Sequence, residues 1–211
     1  MRSFTMREKW LTGILVLFYT VGTIGMLLPD YKDFFLTLSP FNLLLTFAVL
    51  LIGRKEKNKN WYIFLGIGCL TGFAVEWIGV HTSWLFGQYY YGENLGWKLN
   101  EIPIIIGLNW LLMIVGSASI SARLFNNRWY EIISSAFIMT AFDAIMEPVA
   151  IKSDFWHWKN EIIPIYNYVC WFGVGFLLQW VYQVLKLRES NKVHDALLLV
   201  MTVFFIVLNV F

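Results

Sequence analysis

Residues 129–150 read WYEIISSAFIMTAFDAIMEPVA. At ~1.5 Å rise per residue a helix of this length crosses a hydrocarbon core ~30 Å thick. The stretch nevertheless carries Asp143 and Glu147, with Pro148 following at once, and a third acid, Glu76, lies inside the apolar run 61–80. An ionised side chain at membrane depth costs several kcal/mol, so such residues are rare and tend to belong to a site.

Working outward, the chain is 58% hydrophobic and 14% charged, with a mean hydropathy of +0.61. That balance is outside the soluble range and belongs to polytopic membrane proteins. Apolar runs near the spanning length occur at 10–28, 34–53, 61–80, 103–122, 129–150, 164–185 and 196–211, the last one short. The expected fold is therefore all-α: a polytopic membrane helical bundle of about seven transmembrane helices, forming one integral-membrane domain over 1–211. The first run follows Arg2, Arg7 and Lys9 like a signal sequence, but it is long and lacks an Ala-x-Ala type exit, so it is expected to stay as a helix.

Charge sets the expected orientation. With the N-terminus inside, twelve of the sixteen Lys and Arg fall in inner segments, among them Arg2, Arg54, Arg123, Arg128 and Arg188; only Lys32, Lys98, Lys152 and Lys159 fall outside. The positive-inside rule then puts the N-terminus in the cytoplasm and the C-terminus outside, with a bacterial inner membrane as the expected location. The net charge of +2 concerns topology and gives no reason to expect nucleic acid. Cys69 and Cys170 both fall in apolar helices, where a small buried residue is the simple reading.

Helical rise places Glu76 about 22 Å, Asp143 about 21 Å and Glu147 about 27 Å from the inner ends of their helices, in the outer part of the membrane. Asn109 and Asn167 enter from the outer side at similar depth, shortly after Pro103 and Pro164. A weak internal echo links the two passes. Glu76, Ser83, Phe86, Tyr89, Glu101-Ile-Pro103 and Asn109-Trp110 are followed by Glu147, Ser153, Phe155, Trp158, Glu161-Ile-Ile-Pro164 and Asn167 with Trp171. Such a parallel repeat of the third and fourth helices in the fifth and sixth has its axis along the membrane normal, which is expected to bring the two acidic helices face to face. The plainer reading is that Pro and aromatic residues mark every outer interface.

Asp143 and Glu147 are four apart, on one helical face. Pro148 has no N–H and leaves the Ala144 carbonyl without its helical partner. Two close carboxyl groups in low dielectric cannot both ionise cheaply, and a protonated acid beside an ionised one is general acid and base equipment. Hydrogen bonding between helices is the structural alternative, above all for Asn109 and Asn167. Trp10, Trp61 and Trp129 at inner ends, and Trp84, Trp97, Trp156 and Trp158 on outer loops, fit an interfacial belt. Trp77, Trp110 and Trp171 sit beside the polar cluster, where an indole face stabilises a cation.

Other chemistries lack their residues. His81, His157 and His194 are not paired at ligand spacing on one helix, which excludes a di-iron hydroxylase with histidine boxes; a mononuclear site from His81 and His157 is the remaining metal option. All ten lysines lie in termini or loops, so no retinal Schiff base is expected. Asp143-Ala-Ile-Met-Glu147 looks like one acidic motif of a membrane prenyltransferase, but the second motif is missing.

Together, Glu76-Trp-Ile-Gly-Val80, Phe86-Gly-Gln-Tyr89 with Tyr91, Leu95-Gly96, Pro103, Asn109-Trp110, Asp143 to Glu147-Pro148, Trp156 with Trp158, and Pro164 to Asn167 resemble the membrane carotenoid 1,2-hydratase family (CruF-type). The resemblance runs from about residue 61 to 183. It implies addition of water across the terminal 1,2 double bond of an acyclic carotenoid end group without a cofactor, on a substrate held within the bilayer lipid. The chemistry then suggests Glu147 or Asp143 as the acid and Glu76 as the carboxylate that orients water. Asn109 and Asn167 would position water, and Trp77, Trp110 and Trp171 would wall the cation, with His81 and Tyr89 as further binding residues. The long segment from His81 to Ile102 would act as a flexible lid. A membrane lycopene cyclase, using the same acid, and a proton-coupled transporter remain the alternatives.

Overall fold

The computed structural model describes residues 3–211; Arg2, counted above among the inner cations, lies outside them. The helices are α1 (Met6–Leu27), α2 (Lys32–Thr37), α3 (Ser39–Gly53), α4 (Lys59–Thr82), α5 (Ile106–Leu124), α6 (Arg128–Lys152), α7 (Ile165–Val184) and α8 (Lys192–Val210). Four of them begin at the same end of the bundle, and each has a side-chain cap there. Thr5 and Glu8 form a capping box on α1, while Asn58, Asn127 and Asn191 accept from the first backbone N–H groups of α4, α6 and α8. These caps satisfy donors that the first turn of a helix leaves open.

Five helices, α1, α4, α5, α6 and α8, are long and apolar enough to cross a membrane. The expected span at 34–53 is not one helix. It breaks at Leu38 into α2 and the 15-residue α3, with Pro40 in the first turn of α3, where a missing N–H costs nothing. The last helix begins at Lys192, four residues before the expected run.

The bundle is built around α5, whose apolar window is 83% buried and which packs against α3, α4, α6, α7 and α8. Gly107, Gly116, Ser117, Ala118, Ser119 and Ala122 keep its surface small enough for that approach. Large apolar side chains such as Leu70, Phe137, Val169 and Leu199 point outward instead, as lipid-facing residues do. Both α5 and α7 pack against each of the two acidic helices, α4 and α6, and the acids of those two helices face a common cavity.

At the end where α4, α6 and α8 begin, Arg54 is buried. It donates to the Tyr182 hydroxyl (2.9 Å) and the Leu187 carbonyl (2.8 Å), pairs with Glu189 (3.1 Å) and lies 4.7 Å above the Trp61 ring. Trp61 is thus a core residue, not part of an interfacial belt.

The opposite end is closed by the segments that follow α4 and α6. Strand β1 (Tyr89–Tyr91) is followed by β2 (Lys98–Leu99) and β3 (Ile102–Pro103), a hairpin whose turn residues Asn100 and Glu101 both have positive φ, as a type I′ turn requires. Strand β4 (Trp156–Trp158) pairs antiparallel with β1, setting Tyr89 opposite Trp158, Tyr90 opposite His157 and Tyr91 opposite Trp156. A two-fold axis along the bundle relates antiparallel strands in this way. The echo recurs in the backbone at Asn160-Glu161, which take the same left-handed conformation before Pro164 that Asn100-Glu101 take before Pro103.

Candidate active site

The period-2 geometry of a strand sends alternate side chains to opposite faces. In β1 and β4 the alternation buries Tyr89, Tyr91, Trp156 and Trp158 and leaves Tyr90 and His157 on the outside. All four inner residues carry a hydrogen-bond donor at the tip of the ring. The Tyr89 and Tyr91 hydroxyls donate to Glu76 Oε2 (2.6 and 2.8 Å). The Trp156 and Trp158 indoles donate to Glu147 Oε2 (3.0 and 2.8 Å). Each acid is therefore gripped by the strand that follows its own helix.

The acids differ in what else they receive. Glu76 Oε1 accepts from Trp110 Nε1 (2.9 Å), giving this carboxylate three donors. Asn167 Nδ2 bridges the other two, lying 2.8 Å from Asp143 Oδ2 and 3.4 Å from Glu147 Oε1. That amide is the side-chain donor to Asp143.

Close packing makes these reaches possible. A Cβ on Gly79 would lie 2.5 Å from the Tyr89 hydroxyl, and one on Gly72 would lie 2.6 Å from Trp110 Cβ, so two bare positions on α4 admit two of the three donors to Glu76. Phe86 is held at φ +64°, costly for a bulky residue. Its ring sits about equally far from Tyr89, Trp110 and Trp171 (6.2, 6.3 and 6.2 Å between centroids), which fixes that conformation. Trp110 and Trp171 stack 4.1 Å apart and nearly parallel, each seven residues after its proline.

These side chains surround a small cavity lined by Glu76, Asp143 and Glu147, by Asn109 and Asn167, and by Phe86, Tyr89, Tyr91, Trp156, Trp158 and Trp171. Burial, then the charge of Glu76, holds the Tyr89 and Tyr91 phenols well above their ordinary pKa, so both remain donors. The segment after α4 covers the cavity, as expected of it, and is tied to the segment after α6. Beyond the strand pairing, Gly92 N–H donates to the Phe155 carbonyl, Glu93 N–H to Asp154 Oδ2, and Asn94 Nδ2 to the Ser153 carbonyl.

Eight of the ten expected site residues meet here: Glu76, Asp143, Glu147, Asn109, Asn167, Trp171 and Tyr89 line the cavity, and Trp110 backs it. Trp77 and His81 do not join them. They stack on each other (4.7 Å) on the outer side of α4, with Trp77 half-exposed and His81 near Glu101. His157 bonds to Asp154 instead (2.7 Å), so the two histidines take separate partners. No group of three or more metal-ligating side chains forms among the described residues. Trp156 and Trp158, expected in the interfacial belt, are donors to Glu147. The signal that could have found them is the alternation Tyr89-x-Tyr91 and Trp156-x-Trp158, four aromatic donors at strand spacing.

Residues 37–211 match the family of carotenoid biosynthesis proteins. The chain belongs to that family. Among curated proteins it is similar to the bisanhydrobacterioruberin hydratase of Haloarcula japonica, 23% identical over 181 residues, covering 77% of this chain and 60% of the relative. No solved structure matches it.

Proposed function

We propose that this chain adds water to the terminal 1,2 double bond of an acyclic carotenoid end group by acid catalysis. The observation that carries the reading is the unequal supply of donors to three carboxyl groups around one aromatic-walled cavity. Burying an ionised carboxylate costs several kcal/mol, and each hydrogen bond to it returns about 1.5–3 kcal/mol. Three donors balance the cost at Glu76. One shared amide does not balance it at Asp143, which is therefore assigned as the carboxylic acid that holds the proton.

Asp143 protonates the less substituted carbon of the alkene. The π bond breaks, and the positive charge falls on the tertiary carbon. Glu76, fixed and negative, offsets that charge, and the faces of Trp171 and Phe86 stabilise it at close range. Water held by Asn109 and Asn167 attacks the cation. Its surplus proton passes to Glu147, and Asn167, bridging both acids, leaves Asp143 and Glu147 placed to exchange it, so Asp143 is restored. The net change is one water added, which needs no cofactor. The Haloarcula relative, a hydratase by name, supports hydration over cyclisation.

The test is expression in cells that accumulate lycopene or a monocyclic carotene, with the extracted pigments weighed. A product heavier by one water, lowered at least ~100-fold by Asp143→Asn, is expected. An isomer of unchanged mass would mean cyclisation, and unchanged pigment would overturn the assignment for those substrates.

A further inference from the structure

A second chamber adjoins the acid cavity and shares Ile106, Asn109, Met146 and Trp156 with it. The remaining wall is nearly all apolar, including Leu43, Phe155, Met201 and Phe205. At its far side it shares Ser39, Asn42 and Phe204 with a groove between α1 and α3, where Phe18, Val21 and Phe41 are exposed. The three spaces form a series running from the acids, through an apolar middle, to the lipid-facing surface. The outermost lies beside the break between α2 and α3 that removes part of an otherwise continuous wall.

Asn42 stands at the junction, lining both the chamber and the groove. Its backbone carbonyl accepts from Thr46 Oγ1 (2.7 Å), but its side-chain Oδ1 is buried with no hydrogen-bond partner among the described residues. An unpaired buried acceptor is rare and calls for a partner. Here the partner would come from a molecule lying in the channel.

We infer that the substrate's polyene tail enters sideways from the membrane at the α2–α3 break and lies in this second chamber while its end group meets the acids, with Asn42 reading a hydroxyl on the tail. The inference rests on the proposed hydratase reading for the nature of the substrate. Its geometry explains how a long apolar molecule reaches carboxyl groups sealed from the aqueous side by β1 and β4.

The experiment fills the channel away from the acids. Leu43→Trp and Ser39→Trp, on adjacent turns of α3, are assayed in detergent with a full-length acyclic carotenoid and with a short terpene bearing the same end group. Binding is followed separately by induced circular dichroism in the polyene band. The full-length substrate should lose about tenfold or more in kcat/KM through KM, with the short one within about twofold of wild type. Retained turnover of the short substrate also shows that the variants fold. Unchanged KM and unchanged induced dichroism in both variants would overturn the channel. If the wild type binds the polyene but makes no hydrated product, the hydratase reading fails while the dichroism still judges the channel. Asn42→Leu should lower the preference for a hydroxylated over an all-hydrocarbon tail about tenfold; an unchanged ratio would remove Asn42 from the inference.

Discussion

Tyr89 and Tyr91 hold one carboxylate oxygen between them, and neither hydroxyl has a water-facing alternative. Tyr91→Phe removes a single donor from a buried carboxylate, a loss of about 1.5–3 kcal/mol that thermal unfolding in detergent should register. Gly79→Ala makes a sharper test, because the added methyl occupies the space of the Tyr89 hydroxyl and evicts it from Glu76. The two changes act on one contact. Tyr89→Phe introduced into Gly79→Ala should therefore cost much less than it does alone, and full additivity would show that the hydroxyl stays in place. At this scale much of the site was legible in the sequence, since an acid in an apolar run stands out against its surroundings whatever the tertiary structure. Trp156 and Trp158 were not, because Trp at a helix end serves equally as a lipid-interface residue, and only the strand pairing turns these two inward.

The paired strands β1 and β4 behave as a clasp between the two acidic helices, and their outer fastening is Asp154. Its carboxylate accepts from Glu93 N–H (2.9 Å) and pairs with His157 (2.7 Å). Those contacts, that of His157 first, hold the Asp154 carboxyl below its ordinary pKa. A lowered carboxylate pKa contributes stability that is present above the unfolded value of about 4 and is lost as pH falls through the folded value. Amide exchange at Gly92, Glu93 and Asn94 should accordingly speed up relative to the helices as pH drops below about 4. Asp154→Asn should remove that extra acid sensitivity, and an unchanged pH profile in the variant would show that another group governs it. Three-residue strands carry too short an alternation to be read beforehand, whereas the long helices announce themselves by length and hydropathy. The break at Leu38 was hidden for a related reason: the apolar run continues through it, and Pro40 sits where a helix start tolerates it.

Across the whole molecule the buried charges divide between two ends with different duties. At the end where α4, α6 and α8 begin, Arg54 ties the close of α3 to α7 and to the segment leading into α8, through Tyr182, Leu187 and Glu189. Arg54→Met leaves Glu189 without its cation and should cost about 3–5 kcal/mol, since breaking a buried pair strands the other charge. Mild detergent melts of the purified chain would show it. At the other end the acids face a cavity closed by loops, and the side of the membrane those loops occupy decides where the added water comes from. The distribution of cations predicts that they lie outside: reversing the chain would carry most of its Lys and Arg across the bilayer, against the rule that governs short loops. Trp97 and Asn126 are exposed at opposite ends and suit a labelling test. In a chain with Cys69 and Cys170 replaced by Ala, an impermeant maleimide added to intact cells should modify Trp97→Cys, and should modify Asn126→Cys only after permeabilisation. The opposite pattern would put the acid cavity on the cytoplasmic side and require its water to arrive from there.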